Sequence, residues 1–219
     1  MQYELDLKEF PMVMIESAGL WVHWLPITKI QFERFLCETG DARYDAKWYS
    51  QVLDLNPRIS PREIRQNNYW QAFLTGILPY EAESFARWIG EGYRLPTDVE
   101  WKQIWEAVKG QPAEDLPAET VLTKLSERGR ELLAQIERIV STDGGGAVER
   151  TVADQMLLRR GVMEWVEDQR NAQLWCGRGE TSRRFHAALH RAEDPEPARP
   201  NEPTTLRLKQ YGFRLVRAA

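Results

Sequence analysis

The sequence predicts an α+β domain built from short strands, capped helices and much irregular backbone. Three observations predict this class. The first twenty-five residues hold short apolar or alternating runs separated by turn residues, as strands do. Residues 79–109 read as two helices joined by an extended corner. The 219 residues are 42% hydrophobic, which is enough for one substantial core.

The N-terminal part of the chain predicts three strands. Residues 2–7 alternate polar and apolar side chains, and residues 12–15 and 20–25 are short apolar runs on either side of a small-residue turn. His23, on the third of these strands, is expected to be a hydrogen-bonded core or edge residue. Residues 156–168 predict another strand with a turn inside it, and residues 211–217 predict a final strand.

The first helix is predicted to begin at Thr28. Thr28 and Gln31 form a capping-box pattern, apolar residues follow at helical spacing, and Gly40 is a plausible stop. Residues 41–78 show no clear period and read as a long loop, held down by its aromatic side chains.

The segment from Arg94 to Trp101 is the most informative stretch of the chain. A helix over residues 80–89 ends at Gly90, and Pro96 then biases the backbone towards an extended corner. Thr97 with Glu100 forms a second capping-box pattern. Apolar residues follow at helical spacing: Val99, Trp101, Ile104, Trp105 and Val108.

An insertion is predicted over residues 111–147 of an otherwise single domain spanning 1–219. Residues 119–140 have the apolar spacing of an amphipathic helix, and Gly144 to Gly146 read as a flexible turn. No lysine and hydroxyl residue follow these glycines, so a phosphate-binding loop is not indicated.

The composition narrows the function classes. The net charge of −4 and the pI of about 5.6 give no basic field for nucleic acid. The two cysteines, Cys37 and Cys176, form neither a disulfide framework nor a zinc spacing. The charged N-terminus and the absence of long apolar runs predict a cytoplasmic protein with no membrane partner. The nine tryptophans are expected mostly in the core.

Six segments, in order, resemble the formylglycine-generating-enzyme or sulfatase-modifying-factor domain family. Residues 94–101 (RLPTDVEW) resemble R-L-P-T-E-A-E-W, and residues 81–90 resemble the family's preceding helix. The others are residues 26–35 against P-V-T-N-x-x-Y-x-x-F, 162–168 against the end of G-N-V-W-E-W-x-x-D, 178–181 against R-G-G-S, and 212–214 against G-F-R.

This resemblance implies a C-type-lectin-like fold with two main helices and small twisted antiparallel sheets. It assigns structural roles to the residues of these motifs: Thr28, Arg94, Pro96, Thr97, Glu100, Trp101, Glu164, Trp165, Gly212, Phe213 and Arg214.

The chain departs from the catalytic pattern of the family. The oxidising members use a cysteine pair between R-G-G-S and G-F-R, and residues 182–211 contain no cysteine. The asparagine that serves the family's calcium site is replaced by Gly161. We therefore expect a degenerate member that is not an enzyme and needs no cofactor, with calcium or iron as the alternatives.

The resemblance places a ligand groove near the C-terminal loops, where arginine and aromatic residues cluster. A protein partner is predicted there, because such residues often carry binding energy at interfaces. The predicted binding residues are Trp175, Arg178, Arg183, Arg184, Phe185 and Arg191.

Three functions remain open from the sequence. The leading hypothesis is a binding or scaffolding accessory of a bacterial signalling or defence operon, a CRISPR-associated one included. The second is a mononuclear nonheme iron oxidoreductase with His186, His190 and Glu193 as ligands, because a helix would bring these three together. The third is a diversified ligand-binding protein of a retroelement system, which shares the lectin-like fold.

Overall fold

Two small sheets organise the part of the chain that the computed structural model describes. That part comprises residues 1–56, 61–64, 69–113, 131, 134, 138, 151–158, 162–169, 175–178, 207 and 211–219. At residues 53, 54, 61, 69, 70 and 175–178 only the backbone is described. No helix in these ranges is long and apolar enough to cross a membrane.

The first sheet brings the two ends of the chain together. Its strands are β1 (Tyr3–Leu5), β2 (Pro11–Ile15), β3 (Leu20–His23) and β7 (Val216–Ala218), in the order β1-β2-β3-β7 and antiparallel throughout. The three predicted N-terminal strands are confirmed. The turn between β2 and β3 is a 3-10 helix, Glu16–Ala18, which ends at Gly19 in the left-handed region.

The second sheet is smaller and mixed. It contains β4 (Met163–Glu167), β5 (Trp175–Arg178) and β6 (Tyr211–Gly212), in the order β5-β4-β6. The β4–β5 pair is antiparallel but the β4–β6 pair is parallel, so the expectation of antiparallel sheets alone is wrong here.

The strand predicted over residues 156–168 is shorter than expected. It begins only at Met163, and a short helix, α5 (Val152–Gln155), precedes it with a capping box between Thr151 and Asp154. The apolar residues that follow this helix form a buried turn, in which Leu157 has a φ of 56°. Their apolar character reflects burial in the core and not a strand.

The predicted C-terminal strand is divided between the two sheets. Tyr211–Gly212 pairs with β4, whereas Val216–Ala218 pairs with β3. Phe213, Arg214 and Leu215 lie between them and are completely buried. The strand breaks because this segment crosses from one sheet to the other and Arg214 turns into an interior ion pair.

Within the described ranges, four longer helices pack around the sheets: α1 (Lys29–Thr39), α2 (Ala46–Leu55), α3 (Pro79–Ile89) and α4 (Asp98–Val108). Both predicted capping boxes are confirmed, at Thr28 for α1 and at Thr97 for α4. Along α4, Trp101, Ile104 and Val108 are buried as the spacing predicts, but Val99 is exposed.

Helix α2 corrects the prediction of a long loop over residues 41–78. The side chain of Asp45 accepts a hydrogen bond from the backbone N–H of Trp48 (2.8 Å), so Asp45 acts as the N-cap of this helix. Trp48 and Val52 then bury one face of the helix. Two 3-10 turns, Pro61–Glu63 and Tyr69–Ala72, lie further along.

The apolar residues form two clusters. In β2, Val13 and Ile15 face a cluster that includes Trp101 of α4, whereas Met12 faces the other cluster. That second cluster is rich in aromatic side chains from α1, α2 and α3, including Phe32, Phe35, Trp48 and Phe85. The seven tryptophans with described side chains are all buried or half-buried.

The predicted insertion is described at few positions. Glu131, Ala134 and Arg138 have helical backbone, and the rest of the predicted helix over 119–140 lies outside the described residues. The chain leaves and returns at one place, since Pro112 and Thr151 form an antiparallel bridge. The domain boundaries themselves stay a prediction.

Candidate functional site

A groove lies between α1 and α2. It has an empty volume of about 400 Å³, including the part open to solvent. Apolar side chains predominate among its lining residues, which are Lys29, Phe32, Glu33, Leu36, Trp48, Tyr49, Val52, Asn56 and Leu74.

Helical spacing on α1 and α2 creates this groove. On α1 the lining residues recur at intervals of three and four, and on α2 Trp48 and Val52 are four residues apart, so each set shares one face. Asn56 lies at one end of the groove, and its side-chain amide is hydrogen-bonded to backbone groups. It accepts a hydrogen bond from the backbone N–H of Thr75 (2.9 Å) and donates to the carbonyls of Val52 (2.9 Å) and Thr75 (2.7 Å).

Lys29 is the one basic residue among the described side chains that line the groove. Burial lowers its pKa from 10.5 to about 8, although the carboxylate of Glu33 acts in the opposite direction. Desolvation penalises the charged form of an amine, so the apolar walls account for the direction of this change.

An ion pair between a buried carboxylate and a partly buried arginine supports the α2 side of the groove. The carboxylate of Glu81 is fully buried and accepts hydrogen bonds from Arg207 (2.7 Å to each oxygen), from Trp48 Nε1 (2.5 Å) and from the backbone N–H of Leu78 (2.8 Å). The guanidinium of Arg207 also lies 5.9 Å from the centre of the Trp48 ring. Trp48 is therefore held from two sides while its ring lines the groove.

A second buried ion pair joins the two sheets. Arg214 and Glu164 are 0% and 1% exposed, and two hydrogen bonds of 2.7 Å connect them. The remaining Arg214 donors reach the carbonyls of His23, Trp24 and Met156 at 2.9–3.3 Å. Trp101 Nε1 donates to the same carboxylate (3.1 Å).

The corner between α3 and α4 also contacts both sheets. Arg94 pairs with Val216 of β7 through two backbone hydrogen bonds, and the carbonyl of Pro96 accepts from the N–H of Glu167 in β4 (2.9 Å). The Arg94 side chain forms a two-pronged ion pair with Glu100 (2.6 and 2.7 Å). Burial opposes ionisation of Glu100, but hydrogen bonds from Arg94 and Thr97 outweigh it and lower the pKa of this carboxyl.

Comparison with protein families gives a match along the whole chain. The model of the family described as "Sulfatase-modifying factor enzyme 1-like domain" matches residues 1–219. The chain belongs to this family. No curated protein matches the chain. The mixed fold with small sheets agrees with the C-type-lectin-like fold that the motifs predict for a sulfatase-modifying-factor domain.

In this chain, the residues of the family motifs contact one another and the core. Arg94, Thr97 and Glu100 bind one another at the corner, whereas Trp101, Glu164 and Arg214 meet in the interior. Trp165 donates to the carbonyl of Ile77 (2.6 Å). The backbone of Phe213 accepts from Ile27 (2.8 Å), beside the Thr28 cap. These residues are held by contacts within the fold.

The predicted binding residues are described only in part. Trp175 and Arg178 lie at the two ends of β5, which pairs with β4 in the second sheet, and their side chains are not described. Arg183, Arg184, Phe185 and Arg191 lie outside the described residues. The binding surface therefore stays a prediction.

The predicted metal ligands have the same status. His186, His190 and Glu193, like Gly161 at the calcium position, lie outside the described residues. His23 is confirmed as a hydrogen-bonded core residue, because it is 2% exposed and its Nε2 lies 2.9 Å from Asp6 Oδ2.

The groove and its supporting ion pair were missed at the sequence level. The cap at Asp45 and the four-residue spacing of Trp48 and Val52 were available signals for α2. The pairing of Glu81 with Arg207 spans 126 residues, and no local pattern indicates it.

Proposed function

We propose that this sulfatase-modifying-factor domain is a non-catalytic binding or scaffolding module whose ligand is another protein. It would serve as an accessory in a bacterial signalling or defence system, as the sequence hypothesis has it.

The placement of the cysteines carries the proposal. The resemblance assigns oxidative chemistry to a thiol pair between residues 182 and 211, and the chain has no cysteine after Cys176. Thiolates are the nucleophiles and the soft metal ligands in such chemistry. Cys37 is exposed on α1, and Cys176 belongs to β5, a strand of the second sheet.

The internal contacts of the motifs support the same interpretation. Glu164 and Arg214 neutralise each other away from solvent, and Arg94 with Glu100 fixes the corner. A fold retained through such contacts can present loops to a partner without any reacting group. The predicted contact region is the arginine-rich stretch around Arg183 and Arg184.

Affinity capture from the native host, followed by mass spectrometry, tests the proposal. Three variants of the whole chain sharpen it: Cys37→Ser with Cys176→Ser, Arg183→Ala with Arg184→Ala, and Lys47→Ala with Lys102→Ala. The third removes the same number of positive charges from exposed helix positions and is the matched control. We expect the wild type, the cysteine-free variant and the control to bind one protein, and the arginine variant to bind it at least about tenfold more weakly.

An assay for aldehyde formation on a cysteine-containing peptide, with copper supplied, gives the opposing outcome. If the purified wild type converts the peptide and the cysteine-free variant does not, the protein is an oxidase and the proposal fails. It also fails if no protein is recovered with the wild type beyond the level of an unrelated bait.

A further inference from the structure

A half-buried tryptophan and a carboxylate together hold an ammonium group where α1, α3 and the turn between β1 and β2 meet. The Nζ of Lys8 lies 4.4 Å from the centre of the Trp88 ring and 2.8 Å from Glu38 Oε2. Trp88 Nε1 donates a hydrogen bond to the same carboxylate oxygen (3.1 Å). Lys8 and Trp88 are 30 and 50 positions from Glu38, so only the tertiary structure brings the three groups together.

Each of these contacts suits an alkylammonium ion for its own physical reason. The face of an indole ring carries partial negative charge and attracts a cation more strongly than the other aromatic side chains do. A carboxylate accepts a charge-assisted hydrogen bond from an ammonium group. Because an indole N–H points outward in the plane of its ring, the bond from Trp88 Nε1 holds Glu38 at the edge of the ring whose face attracts the cation.

The ring and the carboxylate are held in place by other side chains. Trp88 packs against Phe35 and Phe85, with ring centres 5.6 and 5.2 Å apart. Glu38 is oriented by Arg34, whose Nε donates to Glu38 Oε1 (2.7 Å). The two groups therefore do not depend on Lys8 for their arrangement, and they should keep it when the ammonium group is removed.

Two cations share the carboxylate. Lys8 binds Oε2 and Arg34 binds Oε1, and their hydrogen bonds, that of Lys8 first, lower the pKa of Glu38 to about 2. The Arg34 guanidinium lies farther from the centre of the Trp88 ring, at 6.0 Å, and also donates to the carbonyl of Lys8 (2.9 Å). Removal of the Lys8 ammonium group would therefore leave Oε2 and the ring without their nearest cation, while Arg34 keeps Oε1.

We infer that Trp88 and Glu38 form a binding site for primary alkylammonium groups, and that Lys8 occupies this site as an internal ligand. The side chains of Lys8 and Glu38 are 23% and 38% exposed, so an ammonium group can reach the site from solvent. The backbone N–H of Lys8 donates to Asp6 Oδ1 (2.7 Å), which keeps the internal ligand beside the site. An external amine must therefore displace Lys8. The inference goes beyond the proposed function, because it uses none of residues 183–191 and needs no protein partner.

Removal of the internal ligand tests the site. The whole chain is titrated with n-butylammonium, whose chain has the length of a lysine stem, and NMR follows the indole N–H signal that Trp88→Phe removes. We expect Lys8→Ala to bind n-butylammonium at least about tenfold more tightly than the wild type. Lys47→Ala removes an exposed lysine from α2 and is the matched control, which should bind as weakly as the wild type. Equal binding by Lys8→Ala and the wild type, or no binding by either, would overturn the inference.

Two further comparisons test the ring and the carboxylate as the binding groups. n-Butanol has the same chain without the charge and should not bind Lys8→Ala, whereas binding equal to that of n-butylammonium would overturn the inference. Adding Glu38→Gln to Lys8→Ala should weaken n-butylammonium binding by at least about fivefold, because the charged acceptor is lost. An unchanged affinity would exclude the carboxylate and overturn the inference. Circular dichroism checks folding, and Lys8→Ser replaces Lys8→Ala if the latter does not fold.

Discussion

At the scale of single residues, Arg214 shows how a buried charge is paired in this protein. Arg214 uses all five of its N–H donors, two on Glu164 and three on backbone carbonyls. Removing one member of such a pair leaves the other charge buried without compensation, which costs more than losing both. The pair thereby determines how the last segment of the chain crosses between the sheets.

Arg214→Met should therefore lower the free energy of unfolding by about 3–5 kcal/mol, because Glu164 is left unpaired. The double variant Glu164→Met with Arg214→Met should be more stable than Arg214→Met alone, since neither charge remains. Urea denaturation of the wild type, both single variants and the double variant gives the comparison. A double variant that loses as much as the sum of the single variants would contradict this account.

Lys29 makes stability depend on pH in the same direction as a paired carboxylate, because folding lowers the pKa in both cases. Its pKa in the folded protein is about 8, below the ordinary value of 10.5, so the unfolded chain binds more protons between these values. Stability therefore rises with pH across that window. Lys29→Met should be more stable than the wild type at pH 7, and this advantage should shrink as the pH approaches 10.5.

Melting temperatures at several pH values measure that difference. Lys47→Met, on the exposed side of α2, is the matched control and should show no such pH-dependent advantage. A constant difference between Lys29→Met and the wild type at all pH values would show that packing, and not charge, is responsible.

At the scale of elements, the helices of this domain begin where a side chain satisfies their first N–H groups. Thr28, Thr97 and Thr151 each begin a helix with a capping box, and Asp45 caps α2. These caps matter because each longer helix has only ten or eleven residues, and helices of that length are marginal on their own.

Thr97→Ala should destabilise the protein by about 1 kcal/mol, because the N–H of Glu100 loses its acceptor. Thr97→Ser keeps the hydroxyl and should stay close to the wild type. Thermal unfolding of the two variants side by side measures the effect. Equal losses in both would mean that the methyl group, and not the cap, accounts for the stability.

At the scale of the whole molecule, the C-terminal segment packs closely against distant parts of the chain at Gly212. A Cβ on Gly212 would lie 2.6 Å from the carbonyl oxygen of Leu74 and 2.8 Å from Val162 Cγ2. The first of these atoms belongs to backbone and cannot turn aside. Gly212 thus permits β6 to pass between β4 and the segment that precedes α3.

Gly212→Ala should lower the free energy of unfolding by about 1–3 kcal/mol through overpacking. Gly110→Ala is the matched control, because no atom lies within 4 Å of a Cβ at that position. Its stability should stay within about 0.5 kcal/mol of the wild type. If urea denaturation finds Gly212→Ala and Gly110→Ala equally stable, the carbonyl of Leu74 is not as close to Gly212 as this account requires.

Local sequence patterns were sufficient to predict features that depend only on residues within one element. The caps at Thr28 and Thr97 and the buried face of α4 depend on residues within one or two turns of one another, and these are confirmed. Helix α2 was missed because its apolar face is short and lies within a stretch rich in prolines and polar residues. The apolar run from Met156 to Leu158 was wrongly predicted to be a strand, because a buried turn and a buried strand can have the same apolar sequence.

The sequence by itself determined the family, the mixed class of the fold and the positions of three of the four longer helices in the part of the chain that the structure describes. It did so because motif spacing and caps are properties of neighbouring residues. Only the tertiary structure decided that Glu81 pairs with Arg207, that Glu164 pairs with Arg214 and that Lys29 lies in an apolar groove. The two ion pairs join residues 50 or more positions apart, and the lowered pKa of Lys29 depends on burial by residues from more than one element.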